Sequence, residues 1–291
     1  MTNELIGIIG GTGLGETLGE YIADAERHEI ETPFGKPSAA ILVGTLGKRN
    51  VAFLNRHGEG HKLSPSEVPY AANVFALKKL GVRAIFSSCA VGSLREEIAP
   101  GHLIVVDQFI DKTFRRTGSF FGGFGAVHCE MAEPTCGRLR QTLIETAQES
   151  GITTHPKGTC VCMEGPQFST RAESLMHRAW GADLIGMTAM PEAKLAREAQ
   201  ICYALIALAS DYDCWKPHKG EPNRQTLLKE ILANLQAATN NCLQLIKTVL
   251  GGEHEFVSAD CHCRRSLDLA VLTEPSQIEA AEKEKLKVLF E

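Results

Sequence analysis

Two periods of apolar residues alternate along the chain. Short runs of Val, Ile, Leu and Ala at 5–9, 39–46, 51–54, 84–88, 103–106, 158–162, 183–187 and 203–209 read as buried strands. Between several of them the apolar positions recur at helical spacing. The stretch 69–80 opens with Pro69 in its first turn, closes at Gly81 and carries Ala72, Val74, Phe75, Leu77 and Leu80 on a broad apolar side. Segments 138–150, 169–180, 192–201 and 225–250 read as helices in the same way. Strands alternating with helices predict an α/β fold, a single domain in which a mixed, mostly parallel, twisted sheet is flanked by helices. No repeat, low-complexity tract or linker interrupts the first 250 residues, so the domain is expected over 1–250. After Leu250 the composition changes to Gly251-Gly252-Glu253-His254-Glu255, and later to a charged, helix-prone segment, 277–289. This C-terminal extension, 251–291, cannot bury much by itself; it is expected to dock on the body, pack on a neighbouring subunit or fray.

Composition narrows the function. With 44% hydrophobic residues in 291, the chain can build a substantial core. Its 30 Lys and Arg against 35 Asp and Glu, a formal charge of −5, are scattered rather than clustered and leave no footprint for DNA or RNA. The longest unbroken apolar run, 201–209, has nine residues, far fewer than the ~20 of a membrane-spanning helix. No membrane partner is expected. The first residues carry neither a basic region nor a cleavable apolar segment, so the expected location is cytoplasmic. Ten cysteines without a secretory signal read as reduced thiols. Two pairs, Cys160/Cys162 and Cys261/Cys263, have the C-x-C form. Cys261-His262-Cys263 crowds three candidate ligands into three residues, which cannot comfortably wrap one tetrahedral ion, and no second ligand pair stands at a usual spacing. No metal is expected.

The first strand ends in Gly10-Gly11-Thr12-Gly13, which gathers backbone N–H groups and a hydroxyl at one point, as an anion requires. Neither a Walker A loop nor a dinucleotide fingerprint fits: no Gly-Lys-Ser/Thr follows, and the third fingerprint glycine falls on Glu16. Other strand ends add to it. Arg56-His57-Gly58 places a permanent cation and a switchable one after the 51–54 run. Ser87-Ser88-Cys89-Ala90-Val91-Gly92-Ser93 ends a strand in small residues and hydroxyls, and Thr188 follows 183–187. Each group alone reads equally well as a turn residue or a helix cap. Several together are hard to explain by packing.

The apolar run 203–209 leads into Ser210-Asp211-Tyr212-Asp213. Two carboxylates at i and i+2 project to one side if the strand continues, and they either cap or solvate a loop or serve a ligand. A carboxylate can accept from an exocyclic amine, and a protonated one can donate to a ring nitrogen, which points to a purine.

These motifs, taken in order, carry a resemblance. Ile6-Gly-Ile-Ile-Gly-Gly-Thr-Gly-Leu14, Thr32-Pro-Phe-Gly-Lys-Pro-Ser38, Asn55-Arg-His-Gly58, Gly92-Ser-Leu-Arg-Glu-Glu-Ile98, Asp107-Gln-Phe-Ile-Asp111, Met131-Ala-Glu-Pro134, Glu164-Gly-Pro-Gln-Phe-Ser169, Gly186-Met-Thr188 and Ser210-Asp-Tyr-Asp213 resemble the methylthioadenosine phosphorylases of the trimeric purine nucleoside phosphorylase family, over about residues 5 to 250. The resemblance implies that Thr12, Arg56, His57, Ala90 and Thr188 hold phosphate. It places Phe168 against the base, Met187 on the ribose, and Asp211 and Asp213 at the 6-amino group and N7 of adenine. It has His128 lent to the 5′ end by a neighbouring subunit of a homotrimer, and Leu227 and Leu228 in an apolar methylthio pocket. The implied reaction needs no cofactor, with inorganic phosphate as co-substrate to the nucleoside.

The chain departs from the family pattern at Cys89, where Thr is usual and the phosphate contact changes, at Gln167, where Arg is usual, and at Arg224, near a position often apolar. Cys261-His-Cys263 followed by Ser266-Leu267 resembles the cysteine-rich end of some thermophilic archaeal relatives, where C-x-C forms a disulfide. Three other functions compete with the implied one. A phosphorylase for 6-oxopurines or methylthioinosine is opposed by the two aspartates. A nucleoside-binding protein without turnover would release no adenine with phosphate, and a nicotinamide dehydrogenase lacks its third glycine.

Overall fold

A computed structural model describes residues 4–217 and 223–291. The side chain of Arg224, singled out above, lies outside the described residues. One mixed, mostly parallel sheet of eleven strands forms the centre of a single α/β domain. The strands are β1 (Leu5–Gly10), β2 (Ala23–His28), β3 (Ile41–Leu46), β4 (Arg49–Asn55), β5 (Ala84–Ser93), β6 (Leu103–Val106), β7 (Gln108–Lys112), β8 (Thr154–His155), β9 (Thr159–Met163), β10 (Leu184–Gly186) and β11 (Cys202–Tyr212). Helices α1 (Leu14–Thr17), α2 (Tyr70–Lys79), α3 (Gly137–Glu149), α4 (Arg171–Ala179), α5 (Ala189–Glu198), α6 (Arg224–Gly251) and α7 (Ala280–Leu286) complete the chain. The eight apolar runs of the sequence are all strands. Three strands escaped it: β2, an exposed edge strand of sequence ADAERH, the mixed QFIDK of β7 and the two-residue β8. None carries an alternation of apolar and polar residues long enough to read.

The sheet divides beside β5, and the division makes room for a site. The first half of β5 lies parallel to β1, from Ile6↔Ala84 to Ile9↔Ser87. Its last residues pair instead with β10, running the other way, Ile185↔Gly92 and Leu184↔Ser93. The ends of β1 and β10 therefore approach each other from opposite directions, leaving residues 88–91 of β5 without a neighbour on that side. On the opposite edge β11 follows β5 throughout, Cys202↔Ala84 to Tyr212↔Ser93, with a register shift between Ala209 and Asp211.

Two apolar layers cover the sheet. One contains Val74, Phe75 and Leu77 of α2 and Ala193 and Leu195 of α5; the other contains Leu139 and Leu143 of α3 and Ala238, Cys242, Leu245 and Val249 of α6. The C-terminal extension packs on this body. Phe256 is fully buried with its ring edge-on to Phe86, while Ile278, Leu286 and Leu289 join the α2 layer and Gln200 Nε2 donates to Leu289 O.

Candidate active site

At the division of the sheet lies a cavity of about 530 Å³, within the ~300–1,000 Å³ of small-molecule sites. Thr12, Arg56, His57, Cys89, Ala90 and Thr188 line it, as do Met187, Phe168, Asp211 and Asp213. Residues from five strand ends thus meet in one place.

The glycine turn is fitted to this cavity. Gly11 N–H donates to Ser88 Oγ at 3.2 Å, tying the turn to the uncovered part of β5. A Cβ on Gly11 would stand 2.5 Å from Arg56 Nη1 and 2.6 Å from Ser88 O, so only glycine lets the guanidinium approach. Gly13 holds φ at +89°, a left-handed conformation that other residues resist.

Arg56 follows β4 and is completely buried. Its Nε and Nη2 reach Glu192 Oε2 and Oε1 at 2.8 and 3.0 Å, Nη2 donates to Ser87 Oγ at 2.6 Å, and Nη1 donates to Ser88 O at 2.7 Å. Ser87 Oγ and Tyr203 OH in turn donate to Glu192 Oε1 at 2.6 and 2.8 Å. Burial opposes the charge on Arg56, but the Glu192 carboxylate outweighs it and holds the guanidinium above its ordinary pKa. Breaking such a buried pair costs about 3–5 kcal/mol, so the guanidinium is held rigidly. These four bonds leave one Nη1 hydrogen of its five free for a ligand. Glu192 and Tyr203 were not singled out from sequence, because nothing local connects Arg56 to a carboxylate in a distant helix.

His57 differs from the switchable cation expected at a strand end. Its Nδ1 lies 2.8 Å from Leu63 O and so carries the proton, leaving Nε2 as an acceptor. Burial, reinforced by Arg56, pushes its pKa down to about 4. The ring, stacked on His61 with centroids 4.2 Å apart, is neutral at pH 7. Cys89 is likewise neutral, since burial pushes its thiol up to about 12. Thr188 precedes α5, yet its hydroxyl makes no capping bond to that helix. The cap reading fails there.

Asp211 and Asp213 stand at the other end of the cavity. Ser210 Oγ donates to Asp211 Oδ1 at 2.6 Å. Asp213 is buried, and its Oδ2 has no hydrogen-bond partner among the described residues. Burial without a partner is costly for a polar oxygen and marks it as waiting for a ligand. The chain after it is braced: Asp213 N–H donates to Ser93 O at 3.0 Å, Trp215 Nε1 to the same oxygen at 2.8 Å, and Arg178 lies 3.6 Å over the Trp215 ring.

Met187 and Phe168 line the space between the two ends, Phe168 at the rim with 86% of its surface exposed. Arg116, another residue not singled out from sequence, fixes Met187 from behind. Its Nη1 donates to Met187 O and Met190 O at 2.6 Å each, and its Nε pairs with Glu164 Oε1 at 3.1 Å. On α6, Ile231 and Leu235 line the cavity; Leu227 lies one turn before Ile231 on the same face, and Leu228 is exposed. His128 does not line it, and its N–H donates to Ala270 O at 2.9 Å.

Donors from Arg56, Thr12 and Thr188 on one part of the cavity wall and the buried Asp213 carboxylate on another define a site for an anion and a polar heterocycle together. The chain belongs to the phosphorylase superfamily, whose family model matches residues 5–251. It is 49% identical to the S-methyl-5′-thioadenosine phosphorylase of Cereibacter sphaeroides, covering 94% of this chain and 92% of that one. It is 45% identical to the protein of the same name from Geobacter sulfurreducens, over 99% and 98%. Among solved structures, a methylthioadenosine phosphorylase from an antarctic soil metagenomic library superposes with a TM-score of 0.86, at 42% identity over 99% of both chains. The methylthioadenosine phosphorylase of Schistosoma mansoni in complex with adenine gives 0.85, at 34% identity over 92% and 99%.

Proposed function

We propose that this chain cleaves the N-glycosidic bond of 5′-methylthioadenosine with inorganic phosphate, giving adenine and 5-methylthioribose 1-phosphate. The observation that carries this reading is the cavity shared by Arg56 and by an Asp213 oxygen that has no partner among the described residues. Names of relatives over the whole chain agree with it.

Glycosidic cleavage develops positive charge on the sugar and negative charge on the departing base. Phosphate held by Thr12, Arg56, the Ala90 segment and Thr188 lies under the sugar, stabilises that cation and attacks C1′. A neutral His57 accepts a hydrogen bond from the P–OH of hydrogen phosphate and so orients the dianion rather than adding charge. Cys89 supplies at most a weak S–H donor in place of a hydroxyl. Asp213 serves N7 of the departing base as hydrogen-bond partner and general acid, while Asp211 accepts from the 6-amino group. A 6-oxopurine would set a carbonyl against Asp211, a mismatch of a few kcal/mol or about 10²-fold or more in kcat/KM. The base stacks on Phe168 and the ribose packs on Met187. Leu227 and Leu228, extended inward by Ile231 and Leu235, form the 5′ pocket.

The active form in this reading is a cytoplasmic homotrimer whose neighbouring copy lends His128 to the 5′ end. The segment beside His128 supports it: Val127 bridges to Val271, and the flanking Leu269 and Leu272 are 93% and 65% exposed. In this division of the chain 1–250 carries the catalytic domain and 251–291 shapes its edge. The test is chromatography of methylthioadenosine incubated with the protein, with and without phosphate. Adenine should be released only with phosphate; equal release in both, or none, defeats the proposal.

A further inference from the structure

Four of the ten cysteines converge. Cys136 caps α3, Cys202 opens β11, and Cys261 and Cys263 sit in the extension around a short 3-10 turn, His262–Arg265. All four Sγ atoms lie within 4.8 Å of one another. Cys202 Sγ is 3.5 Å from Cys261 Sγ, and Cys136 Sγ is 3.8 Å from it. Spacing alone argued against metal because Cys261 and Cys263 had no second ligand pair in the sequence. Folding supplies that pair from two elements far away in the chain.

We propose that Cys136, Cys202, Cys261 and Cys263 form a tetrathiolate site for a thiophilic divalent cation, with zinc as the natural occupant. Zn–S bonds of ~2.3 Å place the sulfurs of a regular tetrahedron about 3.8 Å apart along every edge. Two disulfides would instead give two short edges of ~2.05 Å and four long ones. The four sulfurs observed have no such short edge, and all ten cysteines are free thiols. Their surroundings suit an anionic cluster. Arg138 Nη2 stands 3.9 Å from Cys202 Sγ, and the guanidinium is held there by Nη1 donating to Glu255 O at 2.7 Å and Nη2 to Phe256 O at 3.0 Å. Leu139 and Phe256 in the same apolar layer keep the cluster dry. Binding displaces four thiol protons to solvent, so affinity rises with pH.

The site would staple the extension to the body. That extension carries Ala270, which accepts from His128 N–H, and Leu272, whose N–H donates to Ala126 O at 2.9 Å. A cation bound among the cysteines would thus also order the segment holding His128. This inference does not depend on the proposed reaction.

The test uses the full chain purified without chelator. Elemental analysis should find one zinc per chain, and a mercurial titration should release it with the uptake of four thiol equivalents. After removal, added Co²⁺ should give the visible absorption of a tetrahedral tetrathiolate. Cys136→Ser and Cys263→Ser should each cut retained metal at least tenfold, whereas Cys242→Ser, at a buried thiol outside the cluster, should not. One iron per chain with the same variant pattern also supports the site. Metal-free wild-type protein that takes up neither Zn²⁺ nor Co²⁺, or an intact mass four hydrogens light, overturns it. Because those readouts use the wild-type chain, a variant that fails to fold leaves the answer intact.

Discussion

Asp213 and His57 line one cavity and meet it with different hydrogen-bonding needs. Asp213 Oδ2 is buried with no partner among the described residues, so a ligand atom must complete it. If that atom is N7, Asp213→Asn keeps the shape but loses the transferable proton. The expected outcome is a fall in kcat for methylthioadenosine of about 10²–10⁴, the usual weight of a general acid, with less discrimination against inosine. Unchanged turnover would remove Asp213 from the acid role. His57 works by staying neutral. Its pKa of about 4 in the fold lies below the ordinary 6.5. Between those values the unfolded chain binds a proton that the folded chain refuses, so lowering the pH through 6.5 toward 4 favours unfolding. Above pH 6.5 the contribution is constant. NMR of the imidazole should show an Nδ1–H tautomer persisting at pH 6, with protonation only near 4; a midpoint at 6.5 would contradict the buried, carbonyl-bound ring.

At the scale of elements, the legible parts of the site are those written in consecutive residues. The turn at 10–13 and the Asp pair each allow an ordinary structural reading alone; they become legible because several strand ends offer polar groups together. Glu192 could not be read: its partner Arg56 meets it only through the packing of α5 against the sheet, where α5 lies over β11. The same holds for Arg116, and for the edge strand β2, whose exposed residues alternate in nothing. On α6 sequence pointed to Leu227 and Leu228, whereas the face bordering the cavity continues through Ile231 and Leu235, one and two turns on from Leu227. A helix shows its apolar side in sequence but not how far along it the ligand reaches. Ile231→Ala therefore tests the helix as the 5′ wall. If the thiomethyl group rests there, kcat/KM for methylthioadenosine should fall ~10-fold more than for adenosine. An equal fall for both substrates would place the methylthio group elsewhere.

At the scale of the whole molecule, the cavity is open on the side of Phe168, and His128 lies outside it in the same chain. A residue held away from its own cavity can serve catalysis only if another copy brings it there. Subunit mixing separates the two arrangements. Asp213→Asn removes function from the subunit that owns a cavity; His128→Ala removes it from the subunit that lends. If the chain forms the proposed homotrimer, the two variants co-expressed in equal amounts assemble at random, and one cavity in four combines an intact Asp213 with an intact neighbouring His128, restoring about a quarter of wild-type activity. Measured at low substrate, where kcat/KM governs, the mixture should exceed the mean of its parents. If His128 acted within its own chain, every cavity would carry one defect and mixing would restore nothing. Recovery that disappears when the proteins are mixed only after purification would further require that the ring does not exchange subunits. That requirement is natural if the extension carrying Leu269 and Leu272 is buried at its seam.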